Sequence, residues 1–215
     1  MVRLARNEIG VRCLGCRSSA VTMSIASVLR DFVPDLSDKA VYELSARGPL
    51  HRFFLRNAMS VTSSEYFEDV PLGDYKNGVL CQDVQRLTFE GNSFDICTST
   101  EVFEHVPDDR RAFREILRVL RRNGLLLFTV PLSDAAVTVE RAELTEGANV
   151  VHLLPPEYHT DPVRGGNRIL AFRDYGTDIV QRLKDQGFER AGITHPKDPI
   201  AWGYARPIVY AFKAG

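Results

Sequence analysis

The stretch that decides the fold runs from Ser93 to Pro131 and reads SFDICTSTEVFEHVPDDRRAFREILRVLRRNGLLLFTVP. It opens with FDICTS, a short and mostly apolar run that is typical of a buried strand. It closes with LLLFTV, which is apolar without alternation and therefore indicates a strand covered on both faces. An acidic turn, TEVFEHVPDD, and a helical pattern lie between the two runs.

The pattern between the two runs predicts a helix. Its apolar side chains recur at the spacing of one helical face: Phe113, Ile116, Leu117 and Leu120. Pro107 and the two aspartates after it mark the helix start, and Asn123-Gly124 after a basic last turn marks its end. A strand, a helix and a strand with short connections form a βαβ unit, so the sheet is parallel here.

The same alternation extends outward on both sides of this unit. Further strands are predicted at 40–44, 59–65, 79–84, 188–195 and 206–213, and further helices at 19–34, 51–58 and 175–187. The sum is an α/β protein with a Rossmann-like, doubly wound, mostly parallel sheet of seven strands, whose last strand is antiparallel. In such sheets, ligands bind beyond the carboxyl ends of the strands.

The chain is predicted to divide into an arm and one domain with an insert. Residues 1–18 are polar and irregular and form an N-terminal arm that carries a CxxC motif. Residues 19–215 form a single domain, in which residues 133–173 are rich in Pro, Gly and short β-like runs. Such a weakly patterned segment is often functional, so we expect a substrate lid, with a structural cover strand as the alternative.

The composition excludes several classes of partner. The chain has 215 residues, of which 44% are hydrophobic and 26% charged, and a formal net charge of −1. This balance attracts neither a phosphate backbone nor an anionic membrane, so neither is a predicted partner. The start, MVRLARNEIGVRCLGC, lacks the apolar core of a signal peptide, and no apolar run approaches about 18 residues, so a cytoplasmic setting is predicted.

The four cysteines do not predict a metal site. Cys13 and Cys16 form a CxxC motif, but no second pair follows that would complete a four-ligand zinc site. They are predicted to be a reduced pair or half of a degenerate zinc knuckle. Cys81 and Cys97 fall in predicted strands and are expected to be buried apolar side chains.

Acids stand at the ends of three successive predicted strands. Glu65 follows Glu43 by 22 positions, the spacing at which an acid accepts the ribose hydroxyls of a nucleotide cofactor. Asp83, at the third strand end, can accept a hydrogen bond from an exocyclic amine, and Tyr66 can stack on a base. The alternative is that these acids are helix caps or solvated loop charges.

At these residues the sequence resembles the class I S-adenosylmethionine-dependent methyltransferases, in particular the type 11-like methyltransferase domain. The opening stretch is similar to the family pattern of FD, a strand, an EHV-type turn, an E-hydrophobic-RVL helix and a glycine-strand-proline ending. DVQRLTFEGNSFD resembles the family's D-x-x-x-L-P-F-x-x-x-S-F-D. With VYELSARG and SSEYF, the resemblance covers residues 40–131 and more loosely 175–213.

The loop after the first predicted strand departs from the family pattern. The usual E/D-x-G-x-G-x-G is here Glu43-Leu44-Ser45-Ala46-Arg47-Gly48-Pro49, with one glycine. Ser45 and Ala46 are small enough to let the backbone approach a ligand. Arg47 is bulky, and it can point to solvent or pair with a carboxylate.

The resemblance implies S-adenosyl-L-methionine as cofactor and S-adenosyl-L-homocysteine as product. The implied cofactor-binding residues are Glu43, Leu44, Ser45, Gly48, Ser64, Glu65, Tyr66, Gln82, Asp83, Val84, Thr100 and Glu101. The resemblance also assigns these residues to parts of the cofactor. Glu43 would order the loop and contact the ammonium group, Ser45 and Gly48 would line the methionine portion, and Glu65 would bind the ribose hydroxyls. The adenine would contact Gln82, Asp83 and Val84, and the sulfonium side would contact Thr100 and Glu101.

The acceptor side is assigned to histidines. Methyl transfer from a sulfonium is an in-line displacement with a neutral leaving group, so alignment supplies most of the acceleration. His105, and His159 with Tyr158 in the insert, are the candidate catalytic residues where the acceptor must lose a proton. Glu157, His159 and Asp161 alternate, but no metal is predicted there.

Three functions remain open from the sequence. The first is methyl transfer to a small-molecule or sugar-type acceptor. The second is a methyltransferase-fold partner or regulatory module without catalysis, favoured by the glycine-poor loop and the unpaired CxxC motif. The third is another Rossmann-type nucleotide enzyme, such as an NAD-dependent one, and the lack of a G-x-G-x-x-G turn speaks against it.

Overall fold

A computed structural model describes residues 2–3, 11–147, 149–161, 167–197 and 205–215. Residues 4–10 of the predicted arm and residues 162–166 of the predicted insert lie outside the described residues. Every predicted site residue lies within them.

The helices are α1 (Ala20–Phe32), α2 (Pro49–Asn57), α3 (Asp109–Val119) and α4 (Ile179–Asp185), and a 3-10 turn spans Phe103–His105. The strands are β1 (Val2–Arg3), β2 (Val11–Arg12), β3 (Ala40–Glu43), β4 (Ser60–Glu65), β5 (Tyr75–Lys76), β6 (Val79–Cys81), β7 (Phe94–Thr100), β8 (Leu120–Thr129), β9 (Val139–Glu140), β10 (Ala142–Leu144), β11 (Val150–His152), β12 (Tyr158–Asp161), β13 (Asn167–Leu170), β14 (Arg173–Asp174), β15 (Arg190–Thr194) and β16 (Ile208–Phe212).

The central sheet has the strand order β15-β16-β8-β7-β3-β4-β6-β5. The five strands from β8 to β6 are parallel, and β16 lies antiparallel between β8 and β15. The doubly wound, mostly parallel sheet with an antiparallel last strand is therefore confirmed. The predicted number of seven strands is wrong by one, because β5 adds a two-residue edge in a segment predicted to be a loop.

Both faces of the sheet are covered, which explains the unbroken apolar runs. On one face α1 and α2 pack on alternate sheet residues: Ile25, Leu29, Leu50 and Phe54 against Val41, Ile96, Leu125 and Leu127. On the other face α3 and α4 pack on the intervening ones: Phe113, Ile116, Ile179 and Leu183 against Tyr42, Cys97, Leu126 and Phe128. Successive strand residues point to opposite faces, so both sets must be apolar.

Helix α3 starts as predicted but ends earlier. The side chain of Asp108 caps it by accepting a hydrogen bond from the Arg111 N–H at 2.9 Å. The predicted end at Asn123-Gly124 is wrong, since the helix stops at Val119 and Leu120 begins β8, where it pairs with Phe94. Leu120 is buried as its apolar pattern requires, but on a strand rather than on the helix.

Other predictions about the elements differ as well. The third strand stops at Cys81, short of the expected residue 84, because a turn follows in which the Arg86 N–H donates to the Asp83 carbonyl. The last helix begins at Ile179, since the backbone before it pairs Leu132 with Tyr175. The start of the chain is not wholly irregular: β1 and β2 pair antiparallel, and Val11 is buried.

The insert folds onto the end of the sheet. Its strands pair antiparallel as β9 with β14, β10 with β11 and β12 with β13. The Phe172 N–H donates to the Glu104 carbonyl at 2.8 Å, so the insert contacts the 3-10 turn that follows β7. Whether it acts as a lid stays a prediction.

Two smaller observations complete the fold. Cys81 and Cys97 are buried, as predicted, and Cys13 and Cys16 are free thiols. None of the helices in the described part of the chain has both the length and the apolar character that crossing a membrane requires.

Candidate functional site

The ends of adjacent parallel strands β3 and β4 are joined through a side chain. Glu65, the last residue of β4, accepts hydrogen bonds from the Ala46 N–H at 3.1 Å and the Ser45 hydroxyl at 3.3 Å. The acid predicted to hold a ribose therefore also fixes the loop predicted to cradle the cofactor. The geometry brings these two predicted parts of one site together at the carboxyl edge of the sheet.

The single glycine of this loop occupies the position that requires one. Gly48 has φ +98° and ψ 179°, a conformation essentially restricted to glycine. A Cβ added there would meet no heavy atom within 4 Å, so backbone conformation rather than crowding demands glycine. The space beside Gly48 is open, as a loop that lets a ligand approach its backbone needs to be.

Glu43 is a buried carboxylic acid at the end of β3. Its carboxylate accepts a hydrogen bond from the Thr98 hydroxyl of β7, and burial raises the pKa of Glu43 to about 8. Leu44 and Ser64 are also buried, and the Ser64 hydroxyl lies 2.7 Å from the Tyr42 hydroxyl. In this structure Leu44 and Ser64 are packing residues beside the candidate site.

The predicted adenine-contacting residues are not equivalent. The Gln82 side chain is buried and committed to a turn, since its Nε2 donates to Thr88 Oγ1 at 2.6 Å and its Oε1 accepts from the Thr88 N–H at 3.0 Å. Val84 is buried in the core. Asp83 is half-buried and accepts from the Gln85 N–H at 2.8 Å, and Tyr66 is exposed.

A cleft of about 620 Å³ lies beside Tyr66. It is lined by residues of the loop after β3, the loop after β4, the β5–β6 hairpin and strand β13, among them Arg47, Tyr66, Phe67, Lys76, Val79 and Ile169. An exposed aromatic ring at a strand end next to an open cleft suits stacking of a base. Together with the Glu65–loop contact and the open space at Gly48, it fits the adenosine and methionine parts of S-adenosylmethionine.

Glu101, predicted for the sulfonium side with Thr100, is held by an arginine that the sequence reading missed. Its carboxylate lies 2.6 Å from Arg206 Nη2. Glu101 has φ +53°, and its N–H donates to the Thr129 carbonyl at 3.0 Å. The pair connects the end of β7 to the segment before β16. Its only signal in the sequence is an arginine at the start of a predicted strand.

Beyond Glu101, the structure brings His105 and His159 together around a third residue. The two imidazole rings are perpendicular, with centroids 4.9 Å apart. Between them lies Glu104, which is 1% exposed, with its Oε1 3.7 Å from His105 Nε2 and 3.8 Å from His159 Nδ1. Burial, and next the charge of Glu101, raise the pKa of Glu104 well above its usual range.

Tyr158, the third predicted catalytic residue, is not part of this group. Adjacent residues of a strand face opposite sides, so Tyr158 points away from the side that His159 shares with the turn. Its ring is partly exposed and lies under the Arg168 guanidinium, 4.7 Å from ring centroid to Cζ. Its predicted catalytic role therefore has no support from its position.

A buried arginine of the insert fixes the turn that carries Glu104 and His105. Arg173 donates to the carbonyls of Phe103 at 3.1 Å, Val106 at 2.5 Å and Pro107 at 2.6 Å. These bonds hold the turn at both ends, since Phe103 begins it and Val106 and Pro107 follow it. Sequence reasoning missed Arg173, because nothing in the weak pattern of the insert sets it apart from a surface arginine.

Comparison with known proteins identifies the family of this chain. The sequence profile of the family described as "Methyltransferase domain" matches residues 13–128, more than half of the chain. The chain therefore belongs to the methyltransferase domain family, and the resemblance to class I S-adenosylmethionine-dependent methyltransferases is confirmed, with S-adenosylmethionine as the cofactor of the class.

Curated relatives match only parts of the chain. A ubiquinone biosynthesis O-methyltransferase of Coxiella burnetii is 39% identical over 49 residues, which are 23% of this chain and 21% of that protein. A glycine/sarcosine/dimethylglycine N-methyltransferase of Actinopolyspora halophila is 29% identical over 119 residues, 51% of this chain and 21% of that protein. The chain thus matches about one fifth of the length of these relatives.

Solved structures share the fold over most of the chain. An S-adenosylmethionine-dependent methyltransferase from Mesorhizobium loti has a TM-score of 0.55 at 16% identity, covering 86% of this chain and 96% of that one. The 1,6-didemethyltoxoflavin-N1-methyltransferase of Burkholderia thailandensis, solved with S-adenosylhomocysteine, has a TM-score of 0.53 at 16% identity, covering 91% and 80%. At such identities the likeness establishes the class I methyltransferase fold.

Proposed function

We propose that this chain transfers a methyl group from S-adenosylmethionine to a small-molecule or sugar-type acceptor. The observation that carries the proposal is the hydrogen-bonded contact of Glu65 with the loop after β3, in a chain of the methyltransferase family. An acid that bonds this loop can also accept the two ribose hydroxyls of the cofactor, which links cofactor binding to the order of the loop.

On the cofactor side, each residue has a role that its position supports. Glu65 accepts from the ribose, Ser45 and Gly48 let the methionine portion approach the backbone, and Tyr66 stacks on the adenine. Asp83 is the remaining candidate for the adenine amine, since Gln82 and Val84 are engaged elsewhere. The bound cofactor supplies an electrophilic methyl group, and the protein supplies alignment.

On the acceptor side, we assign His105 and His159 to binding and orienting the acceptor. Their rings lie with centroids 4.9 Å apart, beyond Glu101 in the turn after β7, where the insert contacts that turn. An imidazole here can take a proton from an acceptor hydroxyl or amine. The relatives named for ubiquinone biosynthesis and for didemethyltoxoflavin act on small molecules, which favours that acceptor class.

A second candidate is a methyltransferase-fold partner module that does not catalyse. Arg47 in the loop and the single glycine favour it, because both reduce backbone access for a ligand. The two candidates differ in cofactor affinity rather than in fold. The cytoplasmic setting, and the expectation that neither nucleic acid nor membrane is a partner, remain predictions from composition.

Calorimetric titration with S-adenosylhomocysteine distinguishes the methyltransferase from the partner module without catalysis. An enzyme is expected to bind it with a Kd in the low micromolar range, a free energy on the order of −8 kcal/mol. NAD serves as the control ligand, and heat with NAD alone would support a different nucleotide enzyme. If neither S-adenosylmethionine nor its product binds at millimolar concentration, the partner-module function replaces the enzymatic one.

A further inference from the structure

We propose that Glu104, His105 and His159, the Glu-His-His cluster, form a binding site for a divalent transition metal ion of the Zn²⁺ type. Two imidazoles and one carboxylate are a common ligand set for such ions. The cluster joins the 3-10 turn after β7 to strand β12 of the insert. Metal binding to these side chains does not depend on the proposed methyltransferase activity.

The distances within the cluster suit one ion. One ligand atom from each residue can be chosen so that all three lie within 4.8 Å of one another. Glu104 Oε1 lies 3.7 Å from His105 Nε2 and 3.8 Å from His159 Nδ1. Metal–ligand bonds of about 2.1 Å place the ligands of a tetrahedral site roughly 3.4 Å apart, so small side-chain shifts close the site.

The state of the Glu104 carboxylate points to a cation. It is 1% exposed, and neither of its oxygens has a hydrogen-bond partner among the described residues. A buried carboxylate without hydrogen bonds is costly, and such groups are normally paired or bound to a metal. Two imidazole nitrogens lie 3.7 and 3.8 Å from Oε1 and can share a cation with it as fellow ligands.

Second partners orient both histidines. His105 Nδ1 lies 2.8 Å from the Leu170 carbonyl, which can only accept, so Nδ1 carries the proton and the Nε2 lone pair points toward Glu104. His159 Nε2 lies 3.4 Å from Glu157 Oε1, which favours a proton on Nε2 and a lone pair on Nδ1. A carbonyl or carboxylate behind each ligating imidazole is the arrangement usual in metal sites.

The position of the cluster gives the metal a use. Three protein ligands leave coordination positions open, as in catalytic rather than structural zinc sites. A bound ion would lower the pKa of a coordinated acceptor hydroxyl, so the histidines would not themselves have to take its proton. This consequence, unlike the binding itself, rests on the proposed function.

The test is a metal titration of chelator-treated full-length protein. The Cys13→Ser/Cys16→Ser variant is the background, because the CxxC thiols could also bind Zn²⁺. We expect one equivalent of Zn²⁺ to bind with a micromolar or lower Kd in calorimetry, and Co²⁺ to give the visible absorption of a site with four or five ligands. His159→Ala and Glu104→Gln should each weaken Zn²⁺ binding at least tenfold.

Matched controls make the result specific. His152→Ala removes an exposed histidine from strand β11 of the same insert and should leave Zn²⁺ affinity unchanged. Circular dichroism shows whether the variants are folded, and a variant that unfolds is replaced by His159→Gln. The proposal is overturned by absence of binding at 100 µM Zn²⁺ (roughly the −5.5 kcal/mol level), or by equal affinity in wild-type and His159 variants. Titration of the same samples with S-adenosylhomocysteine tests the proposed function separately.

Discussion

The Glu65 carboxylate accepts a hydrogen bond from the Ala46 N–H at 3.1 Å, which joins the end of one parallel strand to the loop after its neighbour. This loop contains one glycine, so its conformation depends on side-chain contacts such as this one more than on glycine's conformational freedom. Glu65 therefore has two functions in the proposed site. It orders the loop, and it presents carboxylate oxygens to the cofactor ribose.

Replacing Glu65 is expected to weaken cofactor binding strongly. Glu65→Ala removes both the loop contact and the ribose acceptor, so the Kd for S-adenosylhomocysteine should rise at least tenfold, about 1.4 kcal/mol. Glu65→Gln keeps one oxygen acceptor and should show a smaller loss. Calorimetric titration of both variants measures the effect.

The matched control for Glu65 is Glu90→Ala, which removes an exposed acid four positions before β7, near the amino end of that strand rather than at the carboxyl ends of the strands. It should bind S-adenosylhomocysteine as the wild-type protein does. Equal affinity in the Glu65→Ala and wild-type proteins would show that the ribose contact is not made by this residue.

Gly48→Ala is expected to cost both stability and affinity. At φ +98° and ψ 179° an alanine is strained by about 1–3 kcal/mol, although a Cβ meets no neighbour. Urea denaturation should report the loss of stability, and S-adenosylhomocysteine titration a weaker Kd. Gly187→Ala, at φ +105° after the end of α4, should lower stability and leave the Kd unchanged.

The fold was predictable where burial on two faces left a continuous signal. The run from Leu125 to Val130 is apolar because both helical layers cover it, whereas a strand with one solvated face would alternate apolar and polar residues. The end of α3 was not predictable, because RVLRRNG continues the helical pattern. What ends the helix is the pairing of Leu120 with Phe94, a contact between residues distant in the chain.

The site was predictable only in its local part. The spacing of Glu43 and Glu65 is fixed by the length of one β-α-β unit, so sequence alone could indicate a shared edge. The contact of Glu104 with His159 spans 55 positions and depends on how the insert folds back. No periodic pattern in the sequence predicts how the insert folds back, so the sequence alone assigns no role to Glu104.

A buried ionic network centred on Asp109 joins α3 to α4 and, through Arg173 Nε at 3.8 Å from Asp109 Oδ2, to the insert. The Asp109 carboxylate accepts from Arg182 Nε and Nη2, both at 3.0 Å, and from the Tyr175 hydroxyl at 2.9 Å. Asp109→Ala would leave a largely buried guanidinium short of its counter-charge, a change that costs about 3–5 kcal/mol. We expect a matching loss in urea denaturation.

Tyr175→Phe provides the comparison for Asp109. It removes a hydroxyl that donates to Asp109 at 2.9 Å and to the Phe103 carbonyl at 3.3 Å, but no charge, so the expected loss is only about 1 kcal/mol. If Asp109→Ala is no more destabilising than Tyr175→Phe, the charge of Asp109 is not needed for stability. Glu140, which pairs with Arg173 and Arg182, would then be sufficient to balance both arginines.

The ionisation of Glu43 should make stability fall as pH rises. Its pKa is about 8 in the folded protein against an ordinary 4.5, because burial opposes the charge. Between these values the folded state keeps a proton that the unfolded state has released, so the free energy of unfolding decreases with increasing pH. The stabilisation is fully present below the pKa of the unfolded state and is lost as the pH rises through the pKa of the folded state. Its upper limit is about 4 kcal/mol between pH 5 and pH 8.

Glu43→Gln isolates this effect, since the amide resembles the protonated acid and does not titrate. In urea denaturation without cofactor, the variant and the wild-type protein should have similar stability at pH 5.5. By pH 8 the variant should be the more stable by more than about 1 kcal/mol. Parallel pH profiles for the two proteins would mean that Glu43 has the same pKa in the folded and unfolded states, and that the Thr98 hydroxyl compensates its burial completely.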